Sequence, residues 1–289
     1  MFLLTHAHVA LSLFSHHKLQ PRERDQLIVG SLLPDVSDLG IASERRTHTE
    51  GREFLRYSGT QHRYLGMGVL LHGERPRGLD YYTHRGFYDA QTRRHKLTGK
   101  AGYLAQKYAT VLPLIKAYRR SIGPLQQEEA AHLIMEFCVD HLIAAEHPQL
   151  ITSVGSALSN GEVMPGVILF ANYFEVSQKH LRRMQRIVRS RQLRAFLARL
   201  TTIEGAAHNF QSFLFLRKLR ENHDSHHFLR QLSRVTRSSL GFLTTKLRDR
   251  SLVQLFERCT EVMRTDYRQF LAASAQKMQR MLAEERFGR

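Results

Sequence analysis

Residues Ala130 to Ala145 read AAHLIMEFCVDHLIAA, an apolar stretch with ionisable side chains at regular intervals. Its apolar residues recur at helical spacing on most sides, which predicts a buried helix. His132, Glu136 and Asp140 stand four residues apart and therefore lie on one stripe of that helix. Burial of an unpaired carboxylate costs on the order of several kcal/mol, so the stripe needs partners. A metal ion, a buried hydrogen-bond network and a polar face turned to water are the alternatives.

The same helical spacing extends through nearly all of the 289 residues, and we find no strand pattern and no internal repeat. Seven prolines and 18 glycines leave little material for the many turns of an all-β protein. We therefore expect an all-α fold. The prediction is a first helix capped by Thr5, a polar loop over 36–46, and helices over 22–33, 49–57, 61–71, 79–96, 103–120, 126–145, 167–184, 193–201, 206–220, 226–247 and 252–283.

Charge is distributed unevenly along the chain. The net charge is +17, of which residues 1–150 contribute +4 and residues 151–289 contribute +13, whereas 12 of the 17 histidines lie in the first part. The Ser-, Gly- and Asn-rich stretch 155–166 is the best candidate boundary. The sequence therefore predicts a histidine-rich helical region over 1–154 that holds a site, and a basic helical region over 155–289. Packing of both as a single domain is the alternative.

Cysteine usage and hydropathy limit the location of the protein. Cys138 and Cys259 lie far apart without a CxxC spacing, which argues against a disulfide scaffold and a cysteine zinc site. His6 and His8 interrupt the apolar start of the chain, and there is no run of about 18 uncharged apolar residues. We expect no signal peptide, no transmembrane segment and a cytoplasmic location, with peripheral membrane contact as an alternative.

Six further ionisable groups occur at predicted helix ends or on apolar helices. Asp80 and His84 repeat the four-residue spacing, His72 ends the apolar segment LLHG, and Asp35 follows Pro34 in GSLLPD. Each group alone can be explained as a cap, a turn or a surface residue. Together they favour a shared metal site, because imidazole nitrogens and carboxylate oxygens are good zinc ligands. The six groups are His6, Asp35, His48, His72, Asp80 and His84.

In chain order, the eight candidate ligands are His6, Asp35, His48, His72, Asp80, His84, His132 and Glu136. This order, with the segments TH, GSLLPD, TH and HxxxE that carry it, resembles the zinc-dependent phospholipase C family, which shares its fold with the S1/P1-type nucleases. The resemblance covers residues 5–147, about half of the chain. Two features differ from the family pattern: residues 73–79 separate His72 from Asp80, and the chain lacks the tryptophan whose amino group is often a ligand in secreted members.

The resemblance implies a multi-helix bundle with additional C-terminal helices and two or three zinc ions in a cleft. It also implies hydrolysis of a phospholipid or another phosphodiester. One zinc would be held by Asp35, His48, His72 and Asp80, a second by His84, His132 and Glu136, and a third by His6 with Asp80 as a bridge. Asp35 would be the catalytic residue that orients the attacking water or accepts its proton.

The basic region contains a cationic segment, Lys179 to Arg199, in which eight Lys and Arg residues alternate with apolar ones. A solvated helix face is one interpretation, and contact with an anionic lipid surface or nucleic acid is the other. Two alternatives to the phospholipase-like hydrolase stay open. One is a non-catalytic helical scaffold that keeps a structural or vestigial metal and binds anionic partners. The other, less favoured, is an HD-type phosphohydrolase built on His223 and Asp224.

Overall fold

The computed structural model of the chain describes residues 3–89, 94–95, 102–122, 125–222 and 250–287. This part of the chain is all-helical apart from two strands of two residues each, which confirms the predicted all-α class. The antiparallel strands are β1 (Tyr88–Asp89) and β2 (Arg94–His95), and 3₁₀ helices cover Leu33–Leu39 and Gly161–Val163. The α-helices are α1 (Leu3–Leu13), α2 (Pro21–Leu32), α3 (Glu44–Thr49), α4 (Gly51–Ser58), α5 (Arg63–His72), α6 (Leu79–His84), α7 (Tyr103–Ala117), α8 (Arg119–Ile122), α9 (Gln127–Glu146), α10 (Pro148–Ser159), α11 (Met164–Tyr173), α12 (Gln178–Val188), α13 (Arg191–Arg199), α14 (Ile203–Asn222), α15 (Arg250–Arg264) and α16 (Tyr267–Phe287).

Helix α9 lies at the centre of the core. Every residue from Ala130 to Ala144 is buried, and the helix packs against α1, α7, α14 and α15. Each fully buried Leu, Ile, Phe or Met side chain contributes about 1.5–3 kcal/mol to folding. Because apolar neighbours surround this helix, its polar stripe is buried as well and must find partners inside the protein.

Helices α2 and α5 cross at two glycines. A Cβ added at Gly68 would lie 2.5 Å from the carbonyl oxygen of Leu27, and a Cβ added at Gly30 would overlap the carbonyl oxygen of Leu65. The two backbones therefore approach more closely than any residue with a Cβ allows. This crossing places the segment that follows α2 against the carboxyl end of α5.

The structure corrects the predicted start of α1 and the predicted loop over 36–46. Helix α1 begins at Leu3, so Thr5 lies inside the helix and does not cap it. The loop region instead contains the end of a 3₁₀ helix and the start of α3, where the Ser43 side chain accepts a hydrogen bond from the amide of Arg46. His48 therefore lies in the last turn of α3 and does not open the next helix.

The prediction of one helix over residues 79–96 is wrong. Helix α6 ends at His84, and Gly86 adopts a φ of 76°, in the left-handed region that glycine tolerates. Strands β1 and β2 follow, with Tyr88 opposite His95. The apolar spacing is compatible with a helix here, but the glycine turn and the strand pairing reverse the chain and return His95 toward α9.

Three other predicted helices, over 103–120, 167–184 and 252–283, each correspond to two helices in the structure. At the break between α15 and α16, the hydroxyl of Tyr103 lies 3.1 Å from the carbonyl oxygen of Met263 and 3.0 Å from the carboxylate of Asp266. The hydroxyl of Tyr103, a side chain of α7, therefore makes polar contacts with residues on both sides of the break between α15 and α16.

Helices from both predicted regions contact one another, since α14 and α15 pack against α9. The predicted boundary, residues 155–166, lies in α10, the second 3₁₀ helix and the start of α11. The predicted helix over 226–247 lies outside the described residues, as do His223 and Asp224. The division of the chain into two regions stays a prediction.

Cys138 and Cys259 are buried free thiols, in agreement with the expected absence of a disulfide scaffold. Within the described ranges, no single helix has the length and apolar character needed to cross a membrane. The bent pair Pro148–Ser159 and Gly161–Tyr173, whose axes differ by 61°, meets those two criteria jointly.

The glycine crossing generates a testable prediction. We expect Gly68→Ala to lower the free energy of unfolding by about 1–3 kcal/mol, because the new methyl group forces α5 away from α2. Gly161→Ala is the matched control, since nothing lies within 4 Å of a Cβ added there. Urea unfolding of both variants checks this, and equal stability of the two would show that the helices are not in close contact at Gly68.

Candidate metal centre

The structure brings all eight predicted ligands together in one place. Seven of them are buried, and the eighth, Asp35, is partly buried. Their ligand atoms form three groups, two of which share His72, and within each group the atoms lie within 4.8 Å of one another. The groups are Asp35, His48 and His72; His6, His72 and Asp80; and His84, His132 and Glu136.

In the first group, hydrogen bonds to the backbone determine which ring nitrogen faces the centre. The Nδ1 atom of His48 lies 2.9 Å from the carbonyl oxygen of Glu44, and that of His72 lies 2.8 Å from the carbonyl oxygen of Ser31. A carbonyl oxygen only accepts, so each Nδ1 carries a proton, and Nε2 is the ring atom that presents a lone pair to the centre whenever the ring is neutral. The two Nε2 atoms are 3.3 Å apart. Two lone pairs at this distance need a cation or a proton between them, as two ligands of one metal ion do.

Asp80 connects the first group to the other two. Its Oδ2 atom lies 3.2 Å from Nε2 of both His48 and His72. Its Oδ1 atom lies 3.2 Å from Nε2 of His6 and 3.7 Å from Nδ1 of His84. A carboxylate that presents one oxygen to each side has the geometry of a bridging ligand.

The third group forms a nearly equilateral triangle of donor atoms. Nε2 of His84 lies 3.1 Å from Oε1 of Glu136 and 3.1 Å from Nε2 of His132, and this last atom lies 3.0 Å from the same carboxylate oxygen. Tetrahedral zinc with bonds of about 2.0–2.1 Å separates its ligand atoms by roughly 3.3 Å. The three donor atoms would therefore fit around a single zinc ion if they moved slightly apart.

Burial and mutual attraction act in opposite directions on the carboxyl groups of the centre. Burial alone would raise the pKa of Asp80, but electrostatic interactions with the imidazoles of His72 and His84 hold it well below its usual range. Burial would likewise raise the pKa of Glu136, and His132 and His84 hold it well below its usual range. Both carboxylates are therefore ionised at neutral pH and available as anionic ligands.

The histidines of the centre divide into two classes. Burial and repulsion from His72 lower the pKa of His6 to about 4, and burial also lowers the pKa of His132. Burial opposes the charged form of His48 too, but the hydrogen bond and the charge of Asp80 raise its pKa to about 9. The centre thus combines ionised carboxylates, imidazoles whose pKa is lowered by burial, and the imidazoles of His48 and His84, whose pKa is raised by neighbouring carboxylates. Such a set of donors could hold a metal ion in place of the protons.

Sequence analysis missed His95, which supports a proposed ligand. Its Nε2 atom lies 2.9 Å from Nδ1 of His132, whose own Nε2 atom faces Glu136. A proton on Nδ1 of His132 donated to His95 fixes the ring with its Nε2 lone pair toward the centre. The ring of Tyr88 packs 5.1 Å from that of His132, and its hydroxyl donates to Glu44. No local pattern signals His95, because only the β1–β2 pairing brings it to α9.

Asp140, the third member of the stripe on α9, does not belong to the three groups. Its Oδ1 atom accepts hydrogen bonds from the backbone amide of Thr5 at 2.9 Å and from the Thr5 hydroxyl at 2.7 Å. Its carboxyl group therefore binds the first turn of α1, where helix amides lack partners within the helix. This contact holds α1, and with it the neighbouring His6, against α9.

His141 and His147 follow the stripe on α9, where the sequence favours ordinary groups on the helix surface over supporting groups around a metal. The prediction of a surface position is wrong for His141, which is buried and whose Nδ1 lies 2.8 Å from the carbonyl oxygen of Leu200. His147 is half-buried and stacks on His8 at a centroid distance of 4.7 Å. Neither belongs to the three donor groups.

The cationic segment Lys179 to Arg199 forms α12 and α13. Arg182, Arg186 and Arg189 are exposed, as a cationic surface requires. Arg183 is buried, so not all cations of the segment lie on the exposed face. The exposed positions leave a cationic face on this segment.

Comparison of the chain with protein-family models, with curated proteins and with solved structures gives no match. The interpretation of the centre therefore depends on the identity and geometry of its own residues.

The contact between Asp140 and Thr5 predicts a pH-dependent stability. Burial raises the pKa of Asp140 to about 7, although the hydrogen bonds from Thr5 favour the carboxylate. Since this pKa lies above the unfolded value of about 3.9, the stabilisation is complete below about pH 4 and is lost as the pH rises through 7. We expect the stability of the wild type relative to Asp140→Asn to fall between pH 5 and pH 8.

Urea unfolding of both proteins at each pH measures this difference, and the other titrating groups cancel because both proteins share them. Thr5→Ser, which retains the hydroxyl donor, is the control and should follow the wild type. A difference that does not change between pH 5 and pH 8 would show that Asp140 is ionised throughout this range.

Proposed function

We propose that the chain is a zinc-dependent phosphoester hydrolase that resembles zinc-dependent phospholipase C and acts on a phospholipid or another phosphodiester. The observation that carries the proposal is the convergence of eight His, Asp and Glu side chains into three neighbouring donor groups, two of which share His72. These are the eight residues that the family resemblance implies, and the group of His84, His132 and Glu136 is also the ligand set that it implies for one zinc ion. Seven of them are buried, and a buried cluster of this kind needs a cation to balance its carboxylates.

Two or three zinc ions would be held by this set. Asp35, His48 and His72 with Asp80 would hold one ion, and His84, His132 and Glu136 a second. His6 and the bridging Asp80 would contribute to a third. Bound zinc would supply Lewis acidity toward phosphoryl oxygens and lower the pKa of water at the site.

Asp35 is the best candidate for the general base. Its Oδ1 atom faces Nε2 of His72 at 3.5 Å, whereas its Oδ2 atom is buried and makes no hydrogen bond to any described residue. That second oxygen can orient a water molecule for in-line attack on phosphorus and accept its proton. Asp35 is also the least buried of the eight side chains, which suits a group that meets water and substrate.

The first prediction of this proposal concerns metal content. We expect elemental analysis of protein purified without a His-tag or chelator to find two or three zinc ions per chain. Removal of the zinc with a chelator should lower the melting temperature by roughly 5–10 °C, since a ligand at a thousand times its Kd contributes about 4 kcal/mol. Folded, zinc-free protein whose melting temperature does not respond to chelator would contradict the proposal.

The second prediction concerns turnover of bis(p-nitrophenyl) phosphate by the zinc-loaded protein. We expect Glu136→Gln and His132→Ala each to lower kcat/KM by at least about 10³-fold, because each removes a ligand from the donor triangle. His141→Ala on the same helix and His147→Ala directly after it are matched controls and should retain most activity per folded molecule. Equal losses in all four variants would mean that the wrong face of α9 was assigned to the metal.

Zinc at the expected amount without turnover of any phosphodiester would instead favour the scaffold alternative. In that case the centre would have a structural role, and the ligand variants would lower stability without any activity to lose.

The third prediction separates the metal centre from the exposed cations of α12. We expect the combined change Arg182→Gln, Arg186→Gln and Arg189→Gln to weaken binding to vesicles that contain phosphatidylglycerol. Each cation near an anionic surface contributes on the order of 1 kcal/mol, and salt screens this attraction. Turnover of bis(p-nitrophenyl) phosphate should stay unchanged. Unaltered vesicle binding of the variant at low salt would identify these arginines as a solvated face.

A further inference from the structure

A cavity of about 420 Å³ borders the candidate metal centre through Tyr88, whose ring lies 5.9 Å from that of His84 and 5.1 Å from that of His132. Its walls are the segment between α5 and α6, helix α6 itself and the start of β1. Its lining is cationic and aromatic, with the guanidinium groups of Arg75, Arg77 and Arg85 and the aromatic rings of Tyr81 and Tyr88. Sequence analysis did not identify this set, because its members lie outside the pattern of metal ligands.

The walls of the cavity are attached directly to the proposed ligands. The backbone amides of Glu74 and Arg75 both donate hydrogen bonds to the carbonyl oxygen of His48, at 2.8 and 3.1 Å. Tyr81 follows Asp80 in the chain, and Arg85 follows His84. A substrate whose phosphorus atom lies at the metal centre would therefore have its neighbouring group in this cavity.

The cavity has a surplus of positive charge. Three arginines face one carboxylate, that of Glu74, which leaves a net charge of about +2 on the walls. Among the residues that the structure describes, no carboxylate forms an ion pair with Arg75, Arg77 or Arg85. All three side chains are exposed, so their hydrogen-bond donors are accessible to a ligand.

Tyr81 orders two of these guanidinium groups. The Cζ atom of Arg77 lies 5.1 Å from the centre of the Tyr81 ring, and that of Arg85 lies 5.3 Å from it. Stacking on an aromatic face restricts a guanidinium group but leaves its N–H donors free in the plane. Such a pair is suited to a phosphate group, which accepts two parallel hydrogen bonds from each guanidinium.

We propose that this cavity binds a second phosphate group of the substrate, so that the enzyme prefers phosphodiesters that carry an additional phosphate on the esterified group. That the bound phosphate belongs to a substrate depends on the hydrolase function proposed above. The anion site itself is inferred from the three arginines alone. A cationic headgroup such as choline meets repulsion in this cavity. The additional phosphate can belong to a phosphorylated lipid headgroup or to a nucleotide, and the test has one arm for each.

The kinetic test uses pairs of soluble substrates that differ in one phosphate. The nucleotide pair is thymidine 5′-(p-nitrophenyl phosphate) with and without a 3′-phosphate. The lipid pair is short-chain phosphatidylinositol with and without a 4-phosphate. We expect the additional phosphate to raise kcat/KM by about 10–100-fold through KM in at least one pair, as charge-assisted hydrogen bonds of this type do. The pair that responds identifies the source of the phosphate.

The variant Arg75→Gln, Arg77→Gln and Arg85→Gln should lose this preference while it keeps turnover of the substrates without the second phosphate. The matched control is Arg182→Gln, Arg186→Gln and Arg189→Gln, which removes the same charge from α12 and should keep the preference. Both triple variants change exposed side chains, so their melting temperatures should match that of the wild type. A preference that survives in the first variant, or that the wild type lacks in both pairs, overturns the proposal.

A binding measurement separates this inference from the proposed function. Calorimetry compares thymidine 3′,5′-bisphosphate with thymidine 5′-phosphate, and we expect the bisphosphate to bind about 10-fold more tightly through the three arginines. Suppose that the wild type shows this difference and the Arg75, Arg77 and Arg85 variant loses it, while no phosphodiester is hydrolysed. That result would contradict the hydrolase function and support the anion site. Equal affinities for both nucleotides overturn the anion site even where diesters are hydrolysed.

Discussion

The carboxylate of Asp80 is surrounded by imidazole nitrogens from four helices, three of them at 3.2 Å. A buried carboxylate in such a position is costly unless positive charge is placed around it. Because its partners lie on α1, α3, α5 and α6, the charge balance at this one group determines how those helices meet. A metal ion bound here would stabilise the fold and the centre by the same interactions, since the unfolded chain has no preformed site.

Much of this centre could be predicted because its signals are local. The four-residue spacing places His132 above Glu136 on one helix face whatever the rest of the fold does, and the same holds for Asp80 and His84. Polar residues on an apolar helix are informative because their burial without partners is unfavourable. The structure brings all eight proposed ligands together, whereas the identity of the metal and the reaction stay proposals.

The features that sequence analysis missed depend on contacts between distant parts of the chain. His95 reaches His132 only because Gly86 turns the chain and β2 pairs with β1, while the apolar spacing of the segment favours a helix. Thr5 has the composition of a cap, but Asp140, 135 residues away, accepts the hydrogen bonds that define its role. Helical spacing predicts on which face of a helix a residue lies, but it does not predict which other part of the chain packs against that face.

The metal centre and the arginine-lined cavity also differ in how firmly their residues are held. Ligands on α5 and α9 stand on buried helices, and α5 packs on α2 so closely that a Cβ added at Gly68 would lie 2.5 Å from the carbonyl oxygen of Leu27. Arg75 and Arg77 stand on an exposed segment that is tied to this frame by two amides on the carbonyl oxygen of His48. Changes on that segment can therefore alter which group is bound without moving the ligands. In the proposed hydrolase, the chemistry of the centre and the choice of substrate would consequently be separable.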